Sequence, residues 1–168
     1  MRLLTLRRPW PWAVIFAGKD VENRQRNVAG SYRGPVAIHA GLQTDTSVDD
    51  YEHPMNGLIY PTCPNADRND HNRHVCTWCT RIEPQRHAHA GHIIGVADLV
   101  DVHSRTHSRT GQPHCNFEGL CSPWAETHAL HLVLDNRRPL LEPIPFRGVQ
   151  GLRRLDADTI ARIEAVTA

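Results

Sequence analysis

From Leu42 to Gly91 the chain runs for about fifty residues with almost no apolar periodicity. Its centre, "YPTCPNADRNDHNRHVCTWCTRIEPQRHAHAGH", is nearly devoid of core-forming side chains. Loops beyond ~12–15 residues are uncommon in compact domains unless they are functional, disordered or held by something else. A short helix near Thr46–Tyr51 would take up part of the stretch. The core must therefore come from the two flanks, residues 2–41 and 92–166. The middle is an insertion that either finds another source of order or has none.

The flanks read mostly as strands. "RLLTL" (Arg2–Leu6), "DVENRQR" (Asp20–Arg26), "PVAIHA" (Pro35–Ala40) and "HIIGVADLVDVH" (His92–His103) come first. The last is the strongest, rich in β-branched residues, with Gly95 as the site of a bulge or bend. "LHLVLDN" alternates Leu130, Leu132 and Leu134 on one face. "RPLLEPIPFRG" carries three prolines, which predicts an edge strand or an extended loop. "GLRRL" is a last short strand. Pro9 suits the first turn of a short helix with Trp12, Ile15 and Phe16 as its apolar face and Gly18 as its left-handed cap. "DADTIARIEAV" predicts a closing helix with Ile160, Ile163 and Val166 on one face. Many short strands, two peripheral helices and no βαβ alternation predict an α+β fold. The expectation is a small mixed β-barrel with short helices packed outside. With 168 residues, one domain spanning 1–168, interrupted by the 42–91 insertion, is enough for a real core.

Charge excludes one class of partner. The net charge is +1 with histidine neutral, which argues against a globally basic nucleic-acid binder and leaves room only for local patches. Arg7 with Arg8, Arg24 with Arg26, and Arg137 with Arg138 are pairs of that kind. No apolar run approaches the ~20 residues of a membrane span. The N-terminal apolar run is broken by Arg7, Arg8 and Pro9, unlike a secretory leader. These features predict a cytoplasmic protein with no membrane partner.

The insertion holds candidate metal ligands. Cys76 and Cys79 form a C-x-x-C hook, Cys63 lies upstream, and His74 is the nearest histidine to the hook. Structural zinc takes four thiolate or imidazole ligands in a tetrahedron. Cys63, Cys76, Cys79 and His74 would supply them, and metal binding would order a segment that lacks a core. The other reading is a disordered loop with incidental cysteines. Cys115 and Cys121 form a second pair further on. An odd count of five cysteines in a chain without an export signal argues against a disulfide framework.

The order "LTLRRPWPWAVIFAGKDVENR", "YRGPVAIHAG", "IIGVADLVDV", "CSPWA" and "PIPFRGVQGLRRL" resembles the ASCH domain family of the PUA-like superfamily. Lys19, Glu22 and Arg24 match the family's K-x-x-E-x-R run at the exit of the first helix. Gly18 directly precedes the lysine, where the family has one residue between. The resemblance covers roughly residues 2–41 and 92–155. It implies a PUA-like barrel with a cleft beside the first helix, used to bind RNA or a modified nucleobase. Some relatives are hydrolases, one group deacylating a modified cytidine and another cutting RNA. The cytidine deacylases carry threonine where this chain has Glu22. A third reading makes the Cys/His insertion a protein-interaction surface.

The signature residues suit such a cleft. Lys19 is the only lysine in a chain whose other 18 basic residues are arginine. Lysine can lose its proton when desolvated, and arginine effectively cannot. Glu22 could accept an exocyclic amine or act as a general base, so Lys19 and Glu22 are the catalytic candidates if the protein is an enzyme. The plainer reading of the two is a surface ion pair worth ~0–1 kcal/mol. Asn23 offers a donor and an acceptor for a base edge. Arg8 and Arg24 are candidate phosphate contacts. Trp10 and Trp124 are candidate stacking planes, whereas Trp12 belongs to the core. Ser122 is either a helix cap or a ligand contact.

Overall fold

The computed structural model describes residues 1–49, 53, 55–59, 85–104 and 120–167. Strands β1 (Arg2–Arg8), β2 (Val21–Arg24), β3 (Gly34–Thr44), β4 (His92–Ser104), β5 (Leu130–Pro145) and β6 (Leu152–Arg154) form one sheet in the order β2-β5-β4-β3-β1-β6. Only β1 and β3 run parallel; every other pair is antiparallel. Helix α1 (Trp10–Phe16) lies on one face of the sheet. A 3-10 turn (Thr46–Asp49) and a one-turn helix, α2 (Asn56–Ile59), follow β3, and helix α3 (Ala157–Ala165) ends the chain. The architecture is α+β, as the strand pattern predicts.

Both faces of the sheet are covered, which explains the near-continuous apolar runs of the central strands. Leu4, Leu6, Val36, Ile38, Ala97 and Leu99 point into a core shared with α1. Their alternating neighbours Leu3, Ala37 and Val96 point into a second core, which also holds Ile163 of α3. Each Leu, Ile or Val among them contributes ~1.5–3 kcal/mol on burial. Asp156 caps α3, its carboxylate accepting the Thr159 N–H at 2.8 Å. Gly95 sits at a register irregularity between β4 and β5. A Cβ there would lie 2.4 Å from Ile15 Cδ1 and 2.8 Å from the Arg138 carbonyl, so its missing side chain is what lets α1 settle on the sheet. Pro139, Pro143 and Pro145 fall beyond the part of β5 that β2 pairs, on a ladder edge where prolines are tolerated.

Two expectations are corrected. The sheet does not close into a barrel among the described residues. Closure requires the end strands to pair. Here β2 has 4 residues and pairs only with β5, and β6 has 3 and pairs only with β1. The space between them is a cleft, spanned by a side chain rather than a ladder. The second correction is the helix face. In α1 the buried residues are Trp10, Pro11, Ala13 and Val14, while Trp12 and Ile15 are partly covered and Phe16 is 55% exposed. The proposed zinc ligands Cys63, His74, Cys76 and Cys79 lie outside the described residues. No described helix is long and apolar enough to cross a membrane.

Candidate functional site

The cleft forms where β6 ends. β6 pairs β1 only over Arg2–Leu4. One residue further, the Thr5 carbonyl accepts from Arg24 Nη2 at 3.0 Å, and Thr5 Oγ1 accepts the Val149 N–H at 3.3 Å. Strand β2 thus approaches β1 without joining it. The resulting cleft, about 1020 Å³, is lined by Thr5, Trp10, Lys19, Glu22, Arg24, His39 and the 146–151 segment, among others.

Lys19 is delivered by the end of α1. Gly18 adopts φ +77°, a conformation that costs glycine little. The chain turns back, and the Lys19 N–H donates to the Ala13 carbonyl at 3.0 Å. The side chain is then 2% exposed. Its ammonium donates to the Val21 carbonyl and stands 3.5 Å from Glu22 Oε2. The Trp10 ring centroid is 5.2 Å away and that of Trp124 6.0 Å, both within cation–π range. Burial lowers the Lys19 pKa from its ordinary value, and the Glu22 carboxylate opposes that shift. Glu22, itself 7% exposed, also contacts Arg24 Nε through Oε1 at 3.2 Å. The three signature residues therefore form one chain of charge, Lys19–Glu22–Arg24, with only Arg24 substantially open to solvent.

The remaining expected residues divide by role. Asn23 lines the cleft, but its amide is engaged: Nδ2 donates to the Trp124 carbonyl at 2.8 Å and Oδ1 accepts the Glu126 N–H at 3.0 Å. It fastens the 120–129 segment to β2. Ser122 accepts the Trp124 N–H at 3.0 Å within a turn and donates to Asp20; no helix starts there, so it is a turn brace and not the expected helix cap. Trp124 is 6% exposed and sits behind Lys19. Trp10 is 9% exposed, and its indole N–H donates to Asp45 Oδ2 at 3.0 Å. It is a fixed wall of the cleft rather than an open platform. Arg8 turns away to donate to the carbonyls of Gly41, Leu42 and His87, joining the end of β1 to β3 and to the chain before β4. Arg7, its neighbour, lines the cleft in its place, with Arg147.

Sequence reasoning missed His39. It is the one polar residue of "PVAIHA", and that isolation in an apolar strand was the available signal. Its ring is 1% exposed and its Nε2 lies 3.0 Å from the Phe146 carbonyl, to which it donates. A Cβ at Gly148 would come within 2.7 Å of its Cε1. Burial lowers the His39 pKa, so the unfolded chain takes up this proton more readily than the folded one. Its contribution to stability is then fully present above the ordinary value of ~6.5 and is lost as pH falls below it. His39→Gln should flatten the acid limb of a plot of urea midpoint against pH, by at most about 1.4 kcal/mol per pH unit. An acid limb identical to the parent's would show that the ring protonates freely in place.

A second cluster lies at the far end of β4 and β5. His103, Cys121 and His131 each offer a ligand atom, all within 4.8 Å of one another. Such a group could hold a metal ion. No family model matches the chain, and no curated protein matches it.

Proposed function

We propose that the chain binds RNA or a modified nucleobase in the cleft beside α1. The observation that carries this reading is the buried Lys19–Glu22 pair lining an open cleft. A cation and an anion fixed side by side in a desolvated wall match the alternating acceptors and donors of a base edge. Trp10 supplies an apolar wall, and Arg7, Arg24 and Arg147 give the cleft positive groups suited to phosphate. The ASCH resemblance implies the same use of the same place.

A hydrolase is the second reading, an amide hydrolase on a modified nucleoside or a ribonuclease. It is favoured by the lowered proton affinity of Lys19 next to a carboxylate, a combination found where general acids and bases are tuned. In that case Lys19 polarises the scissile group and Glu22 activates water.

The direct test is native mass spectrometry of the purified protein for a retained nucleoside, followed by titration with modified nucleosides and short single-stranded RNAs. RNA binding should weaken with salt, and Arg24→Ala should reduce the slope of log affinity against log salt by about 0.7, one phosphate contact on a single strand. A parent that binds none of the panel ends the reading. An unchanged slope in Arg24→Ala would remove Arg24 from the phosphate contacts.

A further inference from the structure

We propose that His103, Cys121 and His131 form a transition-metal site, filled by zinc, that fastens the segment carrying Ser122, Trp124 and Glu126 to the sheet. The site lies outside the nucleobase cleft, whose lining includes none of the three.

Strand register builds it. His103 on β4 is the direct cross-strand partner of His131 on β5, and their rings meet edge to face with centroids 5.4 Å apart. Both side chains are buried, while Cys121 is exposed at the rim. Two buried imidazoles on rigid neighbouring strands, closed by one thiol from a loop, are a nitrogen–sulfur donor set suited to zinc.

The outer contacts orient the rings for ligation. His131 Nε2 lies 2.8 Å from the Glu126 carbonyl. A carbonyl only accepts, so Nε2 carries the proton and Nδ1 the lone pair. That Nδ1 is 3.3 Å from Cys121 Sγ. His103 Nδ1 lies 2.8 Å from Asp101 Oδ2, which places its proton on Nδ1 and its lone pair on Nε2. A carboxylate behind one histidine and a carbonyl behind the other is the usual second layer of a zinc site.

The spacing fits with a small adjustment. Ligand atoms on a tetrahedron about zinc stand roughly 3.3–3.6 Å apart, from its bond lengths to nitrogen and sulfur. The Cys121–His131 pair already meets this, and 4.8 Å is the outer limit for the group. Cys121, exposed at the rim, supplies the movement. It binds as thiolate, so the proton now shared with His131 Nδ1 is released to solvent, and affinity rises with pH.

The consequence reaches the cleft. Cys121 precedes Ser122, which is bonded to Asp20, and Asn23 holds Trp124 and Glu126. Metal at Cys121 therefore fixes the backing of Lys19.

The test uses the full chain with Cys63, Cys76, Cys79 and Cys115 replaced by serine, leaving Cys121 as the only thiol. Titration with Co²⁺ should give a thiolate-to-metal charge-transfer band that saturates at about one equivalent, and Zn²⁺ should displace it. Adding Cys121→Ser should abolish the band. Asp101→Asn, which touches no metal, should weaken Co²⁺ binding about 10–100-fold. Should the four-serine chain fail to fold by circular dichroism, the parent and its Cys121→Ser variant are compared directly, and the variant should lose one thiolate's share of the intensity. No band in a folded Cys121-only chain overturns the proposal. So does a parent spectrum that Cys121→Ser leaves unchanged, which would assign all bound metal to the other cysteines.

Discussion

Glu22→Ala should lower folding stability by about 3–5 kcal/mol, the cost of leaving one member of a buried ion pair without its partner. The Lys19 ammonium is 2% exposed, and its one carboxylate contact among the described residues is Glu22 at 3.5 Å. The ammonium would lose its nearest anion while Trp10 and Trp124 still cover two of its sides. A surface pair would behave differently, losing ~0–1 kcal/mol. The double variant Lys19→Met, Glu22→Ala removes both charges and should recover most of the loss, so the two changes should be strongly non-additive. The pH dependence gives an independent check. Burial lowers the Lys19 pKa, so the unfolded chain holds this proton more tightly. Stability contributed by this group therefore rises as pH climbs from the lowered value towards the ordinary ~10.4. Subtracting the Lys19→Met profile from that of the parent should isolate this rise. Urea denaturation of the four proteins decides the matter. A Glu22→Ala loss below 1 kcal/mol would mean that solvent reaches the ammonium.

Much of the sheet was legible because local pattern and burial agree. The β-branched run at His92–His103 is apolar on both faces because two cores cover it. Gly95 marks a real irregularity, and the prolines of β5 lie on its open edge. The face of α1 was not legible. Two apolar triplets, Trp10–Ala13–Val14 and Trp12–Ile15–Phe16, both satisfy helical spacing in a seven-residue helix. The choice between them is made by the shape of the sheet below. Barrel closure was misread for a related reason. Strand count and order along the chain do not reveal that β2 and β6 are too short to meet. The Lys19–Glu22 contact was ambiguous in sequence, since a strand would send the two to opposite faces. Lys19 lies before β2 begins at Val21, so its side chain can fold back onto Glu22. The His103–His131 pairing depends on long-range register, and no local pattern encodes it.

Lys19→Arg should weaken ligand binding in the cleft, and the reason also explains why a chain rich in arginine keeps one lysine. The space around the ammonium is bounded by the Val21 carbonyl, Glu22 and the rings of Trp10 and Trp124. A planar guanidinium carries more atoms and five donors in a rigid fork. It cannot occupy a site built for a compact, rotatable ammonium without displacing Glu22 or a tryptophan. Displacing Glu22 removes the acceptor that the base would use, and loss of one good bidentate contact costs ~1–3 kcal/mol, about 5–150-fold in affinity. Glu22→Gln keeps the shape and removes the charge. In the binding reading it should weaken affinity with no turnover in any protein of the series. In the hydrolase reading it should cost ~10²–10⁴ in rate while substrate affinity largely survives. Parent, Lys19→Arg and Glu22→Gln should therefore be assayed together for binding and for turnover on modified nucleosides and short RNAs. Lys19→Arg protein that folds, binds and turns over like the parent would show that the cleft has no need of an ammonium. Both readings of the site would then fail, because each makes Lys19 the group that meets the ligand.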